Sequence, residues 1–181
     1  MREGHAVVRQ EALADGHFRL TTELFIARPR GEVFDFFSRA ENLGRITPGW
    51  LDFRILTPLP LEMREGARIE YALRIRGVPV RWTTRISAWE PDVRFVDEQI
   101  RGPYRLWRHE HRFEDVPGGT ICRDVVRFRV PGGKPVWWLF VRAQLDEIFS
   151  CRQERLKALL EGSGGACDGR KAARTPETVE I

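Results

Sequence analysis

The sequence predicts an α+β domain in which a curved antiparallel sheet of about seven strands wraps around one long C-terminal helix. Three observations carry that expectation. Residues 68–129 are dominated by stretches in which apolar and polar side chains alternate, the period of strands with one covered face and one wet face. The longest run of three- and four-residue apolar spacing comes last, from about Pro135 to Leu160. Two short helical segments follow the first strand before the sheet resumes.

Residues 1 to about 16 show no strong period and read as a weakly ordered leader. HFRLTTELFIA is a strand that ends at Arg28-Pro29. RPRGEVFDFFSRAENL then places Val33, Phe34, Phe37 and Leu43 on one helical face, with Pro29 near the first turn, where its missing N–H costs little. A second short turn spans Glu41 to Ile46 and stops at Thr47-Pro48-Gly49. ARIEYALRIRGVPVRWTTRISAWEP reads as two strands around Gly77. Ile69, Tyr71, Leu73 and Ile75 share one face of the first; Val78, Val80, Trp82, Thr84 and Ile86 share one face of the second. DVRFVDEQI, RLWRHEHRFEDVPGGT and TICRDVVRFRV supply three more, the last two joined at Pro117-Gly118-Gly119. In the final helix Trp138, Val141, Leu145, Ile148, Phe149, Arg152, Leu156 and Leu159 follow helical spacing. At 1.5 Å per residue it spans about 37 Å, enough to cross a whole sheet. From Gly162 the apolar content falls, and GSGGACDGRKAARTPETVEI reads as a disordered tail, residues 162–181. One domain over residues 17–161 remains. Strong curvature leaves space between sheet and helix, so a cavity is expected.

Composition narrows what such a domain can do. The 181 residues are 42% hydrophobic and 31% charged, and no apolar run approaches the roughly 18 residues of a membrane-spanning helix. MREGHAVVRQEALADG lacks the apolar core of a secretory signal, so the expected compartment is the cytoplasm. Cys122, Cys151 and Cys167 form no CxxC pair and suggest neither a disulfide framework nor a zinc ribbon; Cys122 and Cys151 read as buried thiols. The net charge of +4 rests on arginine, since among 30 Lys and Arg only Lys134, Lys157 and Lys171 are lysines. Arg74, Arg76, Arg81, Arg85, Arg108, Arg112, Arg123, Arg127 and Arg129 can share the wet sheet face. RNA-reading sheets place aromatic platforms among such cations. Here the aromatics fall on the other face, so no nucleic acid is expected; transient contact with a membrane surface stays open. No Walker loop, GxSxG elbow, HExxH or dinucleotide fingerprint occurs, and neither a cofactor nor a metal is expected.

The chemistry-bearing stretch is RLWRHEHRFEDVPGGT, in which Trp107, His109, His111 and Phe113 alternate onto one face. If the hairpin closes at Pro117-Gly118, position 113 faces 122 and 111 faces 124. That register sets Cys122, Asp124, Val126 and Phe128 opposite, with His111 and Asp124 about 5 Å apart at Cβ. Three readings stay open. Two His and one Asp can form a facial metal triad, although carboxylates are sparse nearby. His111, oriented by Asp124, can act as acid–base on a carbonyl or enol. Or these groups satisfy one another and fix the polar end of a ligand, as the few polar groups of apolar pockets do. Trp50, Tyr71, Trp82, Phe95, Trp107, Phe113, Phe128 and Trp138 suffice to line a hydrophobic cavity, with Leu73, Val141 and Leu145 as aliphatic wall. Trp50 follows Thr47-Pro48-Gly49 at the expected mouth, where a gate can sit.

This element order resembles the START-like or SRPBCC superfamily, the helix-grip fold, over residues 18–160. The landmarks are RPRGEVFDFFSRAENLGRITPGWLDFRIL, GVPVRWTTRI, WEPDVRFVDEQIRGPYRLWRHEHRFEDVPGGT and the C-terminal helix. They look closest to the bacterial polyketide cyclase/dehydrase and lipid-transport-like branch. The resemblance implies a ligand cavity between sheet and helix but leaves activity open. The superfamily includes lipid carriers, coenzyme Q-binding proteins, hormone receptors, aromatic cyclases and ring-hydroxylating oxygenase domains; the oxygenases' iron and Rieske ligand patterns are absent here. The expected function is therefore binding of a lipid, polyketide-like or aromatic molecule, with Tyr71, Gln99, His109, His111 and Asp124 orienting its polar atoms. One alternative is a cofactor-independent cyclase or dehydratase with His111 and Asp124 catalytic. Another is an interaction module that uses the arginine face.

Overall fold

In the structure, a computed structural model that describes residues 7–162 and Cys167, eight strands form one antiparallel sheet. An edge strand β1 (Val7–Ala12) and β2 (Phe18–Ile26) precede two short helices, α1 (Arg30–Phe37) and α2 (Asn42–Ile46), and a short β3 (Arg54–Ile55). The long strands β4 (Arg68–Ile75), β5 (Val78–Glu90), β6 (Arg94–Arg101), β7 (Leu106–Val116) and β8 (Gly119–Arg129) follow, in the spatial order β1-β2-β8-β7-β6-β5-β4-β3. The chain then runs through α3 (Gly133–Val136), a π-helical turn (Trp137–Val141) and α4 (Arg142–Glu161).

Alternation decides which side chains meet α4. Phe18, Leu20, Leu24 and Ile26 of β2 are buried, as are Trp107, His109, His111 and Phe113 of β7 and Cys122, Asp124, Val126 and Phe128 of β8. Shifts of register in β5, between Thr83 and Thr84 and between Ile86 and Ala88, bend the strand, so the sheet curls around Leu145, Phe149 and Leu156 of the helix. The buried apolar side chains form two clusters. One gathers Phe18, Leu20, Trp82, Trp107, Phe128 and Trp137 with Leu145 and Phe149. The other gathers Leu24, Ile26, Val33, Phe34, Ile86, Phe95 and Phe113 with Leu156. Between them, across four neighbouring strands, the inner face turns polar: Thr22, Asp124, His109 and His111, and Asp97.

Three expectations are corrected. Val7–Ala12, assigned to a weakly ordered leader, pairs with β2 along its whole length, which brings the strand count to eight. It is an edge strand with only half-buried and exposed residues, so its sequence shows little period. Gln10 ties it to the helix by donating to the Arg142 carbonyl at 2.8 Å and to Asp146 at 2.7 Å. The single helix expected from Pro135 is interrupted by the π turn, where one extra residue per turn rotates the buried face. Trp137 is therefore 4% exposed, while Trp138, placed on the inner face by a uniform period, is 58% exposed. Cys151, read as a thiol, is joined to Cys167 by a disulfide; a separation of 16 residues carries no local signature. The rest of the tail predicted from Gly162 lies outside the described residues.

Candidate functional site

A cavity of about 180 Å³ lies between the inner sheet face, α4 and the α1–α2 segment. One water needs roughly 10–15 Å³ on the same scale, so the space is large enough for an organic molecule. Both apolar clusters contribute walls, through Trp82, Trp107, Leu145 and Phe149 on one side and Phe36, Ile86 and Phe95 on the other. The polar level crosses between them, and Asp97, His109 and His111 face the space.

The polar groups are placed by strand register. Asp124 lies opposite His111, as the Pro117-Gly118 turn predicted, and Asp97 lies opposite His109 on the other flank. The two imidazoles stack at 3.7 Å between centroids. His109 Nε2 donates to Asp124 Oδ1 at 3.1 Å. His111 Nδ1 approaches the same oxygen at 2.8 Å, off the direction of a hydrogen bond, and its Nε2 meets Asp97 Oδ2 at 3.0 Å. The Thr22 hydroxyl donates to Asp124 Oδ2 at 2.9 Å. Phe95 stacks on His111 at 4.2 Å, sealing the outer side of the pair.

Burial and charge act against each other here. Burial, with His111 beside it, pushes the His109 pKa down although Asp124 and Asp97 oppose the change. Burial also disfavours the charged form of His111, but the two carboxylates overcome it and hold its pKa above the ordinary imidazole value. The same histidines overcome burial at Asp97 and hold it below the usual carboxylate range; they hold Asp124 well below it. The arrangement therefore favours ionised carboxylates and favours a proton on His111 over one on His109. Burial, reinforced by Asp97, raises the Tyr71 phenol, so it stays a neutral donor; its hydroxyl is 3.3 Å from Thr84. Burial also pushes the Cys122 thiol up to about 12, which removes it as a nucleophile near neutral pH.

Of the residues predicted to bind a ligand, Tyr71, Leu73, Trp82, Phe95, Trp107, His109, His111 and Leu145 line the cavity. Asp124 stands behind the histidines. Phe113 packs against Phe34 and Phe37, and Phe128 against Phe18. Gln99 turns to the β6–β7 loop, donating to the Tyr104 carbonyl at 2.7 Å. Val141 is half-buried against the first cluster; Trp50 and Trp138 are 37% and 58% exposed. Those six lie off the cavity wall together with Asp124. Two groups escaped the sequence reading. Asp97 alternates with Phe95 and Gln99, both singled out, so the period of two already pointed it inward. Arg152 was read as part of a helical stripe; it lines the cavity with its Nε buried and without a hydrogen-bond partner.

The outer face carries the arginines among acids. Arg85 and Arg108 meet Glu98, Arg112 meets Glu110, Arg94 meets Glu90, and Arg123 meets Glu23 and Glu114.

Comparison with known proteins places this architecture. A solution structure from Arthrobacter aurescens is similar, with a TM-score of 0.68 at 11% identity, covering 95% of this chain and 99% of that one. A crystal structure from Mycobacterium smegmatis gives 0.64 at 16% identity, covering 86% and 99%. A nucleoside-diphosphate sugar epimerase from Corynebacterium glutamicum gives 0.58 at 27% identity; the match covers 78% of this chain but 29% of that protein. No curated protein matches. The profile described as "Polyketide cyclase / dehydrase and lipid transport" matches residues 26–157. That match runs from the last residue of β2 into α4 and takes in every residue that lines the cavity, and the chain belongs to the polyketide cyclase/dehydrase and lipid transport family.

Proposed function

We propose that the protein binds a hydrophobic small molecule, a lipid, polyketide-like or aromatic compound, in the cavity under α4. One observation carries this reading: the cavity has apolar walls at both ends and a belt of Asp97, His109 and His111 between them. Affinity comes from removing apolar ligand surface from water, at about 25 cal/mol per Å² before the costs of binding. The belt and the phenol of Tyr71 orient its polar atoms. Native mass spectrometry of protein purified from its own host tests this directly. A co-purifying hydrophobic compound, released by denaturation and excluded by Leu145→Trp, is expected; an interior that takes up no apolar probe and leaves Trp82 and Trp107 fluorescence unchanged refutes it.

A cyclase or dehydratase is the second reading, favoured by His111 standing at the cavity wall between Asp97 and Asp124. It requires that His111→Gln retain uptake while a product peak disappears. The outer-face pairing weighs against an arginine-face interaction module.

Loading at a membrane surface fits the rim of the cavity. Trp138, Leu139 and Phe140 are 58%, 65% and 49% exposed. Arg142 lies over the Trp138 ring and Arg76 over the Phe140 ring. Arg76 also donates to the Phe140 carbonyl at 3.2 Å, and its neighbour Ile75 lines the cavity. Aromatic side chains among cations suit the headgroup region of an anionic bilayer. Co-sedimentation with phosphatidylserine vesicles, lost in Trp138→Ser/Phe140→Ser, checks it. No described helix is long and apolar enough to cross a membrane. We propose that the protein works in the cytoplasm, where the Cys151–Cys167 pair would be kept reduced and would link only under oxidising conditions. Thiol titration of protein from its host decides, with three free thiols expected for the cytoplasm and Cys122 alone for the cross-linked form.

A further inference from the structure

We propose that Asp97, His109 and His111 form a binding site for a divalent first-row transition ion on the cavity wall. One donor atom from each lies within 4.8 Å of the others. Asp97 Oδ2 is 3.0 Å from His111 Nε2 and 3.6 Å from His109 Nδ1. Donors sharing one ion at about 2.0–2.2 Å stand roughly 2.9–3.5 Å from one another, so small rotations of the side chains bring the three into range. The sequence reading set a metal aside because carboxylates near the histidine pair were sparse. Register across β6 and β7 supplies the missing one.

The far side of each imidazole is an independent observation. His109 Nε2 and His111 Nδ1 both turn towards Asp124 Oδ1, at 3.1 and 2.8 Å, and Thr22 fixes the other oxygen of that carboxylate. The hydrogen bond from His109 Nε2 to Asp124 sets that imidazole's tautomer and leaves its Nδ1 facing forward, the outer-shell arrangement of a metal-bound histidine. With Nε2–H directed at Asp124, Nδ1 of a neutral His109 is an acceptor. The atom it faces, Asp97 Oδ2, is an acceptor too. Asp97 Oδ2 accepts from His111 Nε2 at 3.0 Å, but 3.6 Å away it faces His109 Nδ1 with no proton between them. A dication that displaces the proton from His111 Nε2 engages all three atoms, and its two charges offset Asp97 and Asp124 together.

The donor set selects the ion. Two imidazoles and one carboxylate suit zinc or ferrous iron, whereas calcium and magnesium take oxygens. The remaining coordination positions open into the cavity that Arg152 also lines. An anionic oxygen of a bound molecule can occupy one of them and meet the unpartnered Arg152 Nε. The site itself needs no organic ligand, so its test is separate from that of ligand uptake.

Full-length protein stripped with EDTA is titrated with Zn²⁺ by calorimetry and with Co²⁺ by visible absorption. One Zn²⁺ per chain is expected, together with Co²⁺ d–d bands that disappear when Zn²⁺ displaces the cobalt. Asp97→Asn and His109→Gln, which keep side-chain volume, should each weaken Zn²⁺ binding by about 100-fold or more, with circular dichroism unchanged. Asp124→Asn, which touches only the outer shell, should weaken it about 10- to 100-fold. His17→Asn, whose imidazole pairs with Asp15, should change nothing. Absence of stoichiometric Zn²⁺ uptake by the folded wild type overturns the site, whatever the variants do. Uptake that survives the His109→Gln/His111→Gln double substitution overturns it equally.

Discussion

The two faces of the sheet both pair carboxylates with cations, in opposite surroundings. On the outer face Arg123 meets Glu23 and Glu114, and the three side chains are 42%, 58% and 56% exposed. On the inner face Asp124 meets His109 and His111, at 12%, 5% and 3%. Water and salt screen the outer set, where a pair is worth about 0–1 kcal/mol. Inside, the groups are withdrawn from bulk solvent, and removing one member strands a buried charge. Well-packed apolar residues would stabilise the inner face at least as well as an ion network does. The outer pairs therefore serve solubility and register, while the inner belt is retained for what it presents to the cavity.

Asp124→Ala should break the comparison most severely. It removes the carboxylate shared by both imidazoles and should cost about 3–5 kcal/mol in urea unfolding. Next comes Trp137→Ala, which empties a buried site stacked on Phe18 at 4.6 Å; a loss of about 3 kcal/mol or more is expected. Trp138→Ala, one residue on but facing water, should stay within about 0.5 kcal/mol of wild type. Equal losses for the two tryptophans would refute the π-turn rotation of the buried face.

That tryptophan pair also marks where the sequence stops being readable. Three- and four-residue spacing assumes a uniform helix, and a single π turn shifts the phase without leaving a trace in composition. By contrast, β7 and β8 were legible down to residue pairs, because Pro117-Gly118 leaves one tight closure and Gly118 takes the positive φ of 86° that the turn requires. His111 opposite Asp124 followed from that closure. Asp97 was harder to place. The β6–β7 connection is a loop held by Gln99 and Tyr104 rather than a two-residue turn, and β5 carries two register shifts. Alternation alone put Asp97 on the inner face, but only three-dimensional register puts it against His109. The cavity followed from curvature; its polar belt needed contacts between residues 22, 97, 109, 111 and 124, which no short window contains.

Thr22→Val tests how far the belt acts as one unit. The substitution keeps shape and removes the hydroxyl that donates to Asp124. A hydrogen bond to a buried charge is worth about 1.5–3 kcal/mol, so an intermediate loss is expected. In a Thr22→Val/Asp124→Asn double-mutant cycle the two effects should fall short of additive, because the valine matters less once the carboxylate is gone. Strict additivity would mean that Thr22 packs rather than donates.

Arg123→Ala is the outer-face counterpart of Asp124→Ala, with a far smaller effect. Arg123 holds two acids from β2 and β7, yet all three side chains stand in water. A loss of at most about 1 kcal/mol is expected at low salt. Raising ionic strength from 0.1 to 1 M shortens the screening length from about 10 to 3 Å, so most of that loss should vanish. The Asp124→Ala deficit should persist under the same salt, since ions do not reach its partners. If salt erased both deficits alike, the inner belt would be solvated, and the separation between a screened outer lattice and an unscreened inner one would fail.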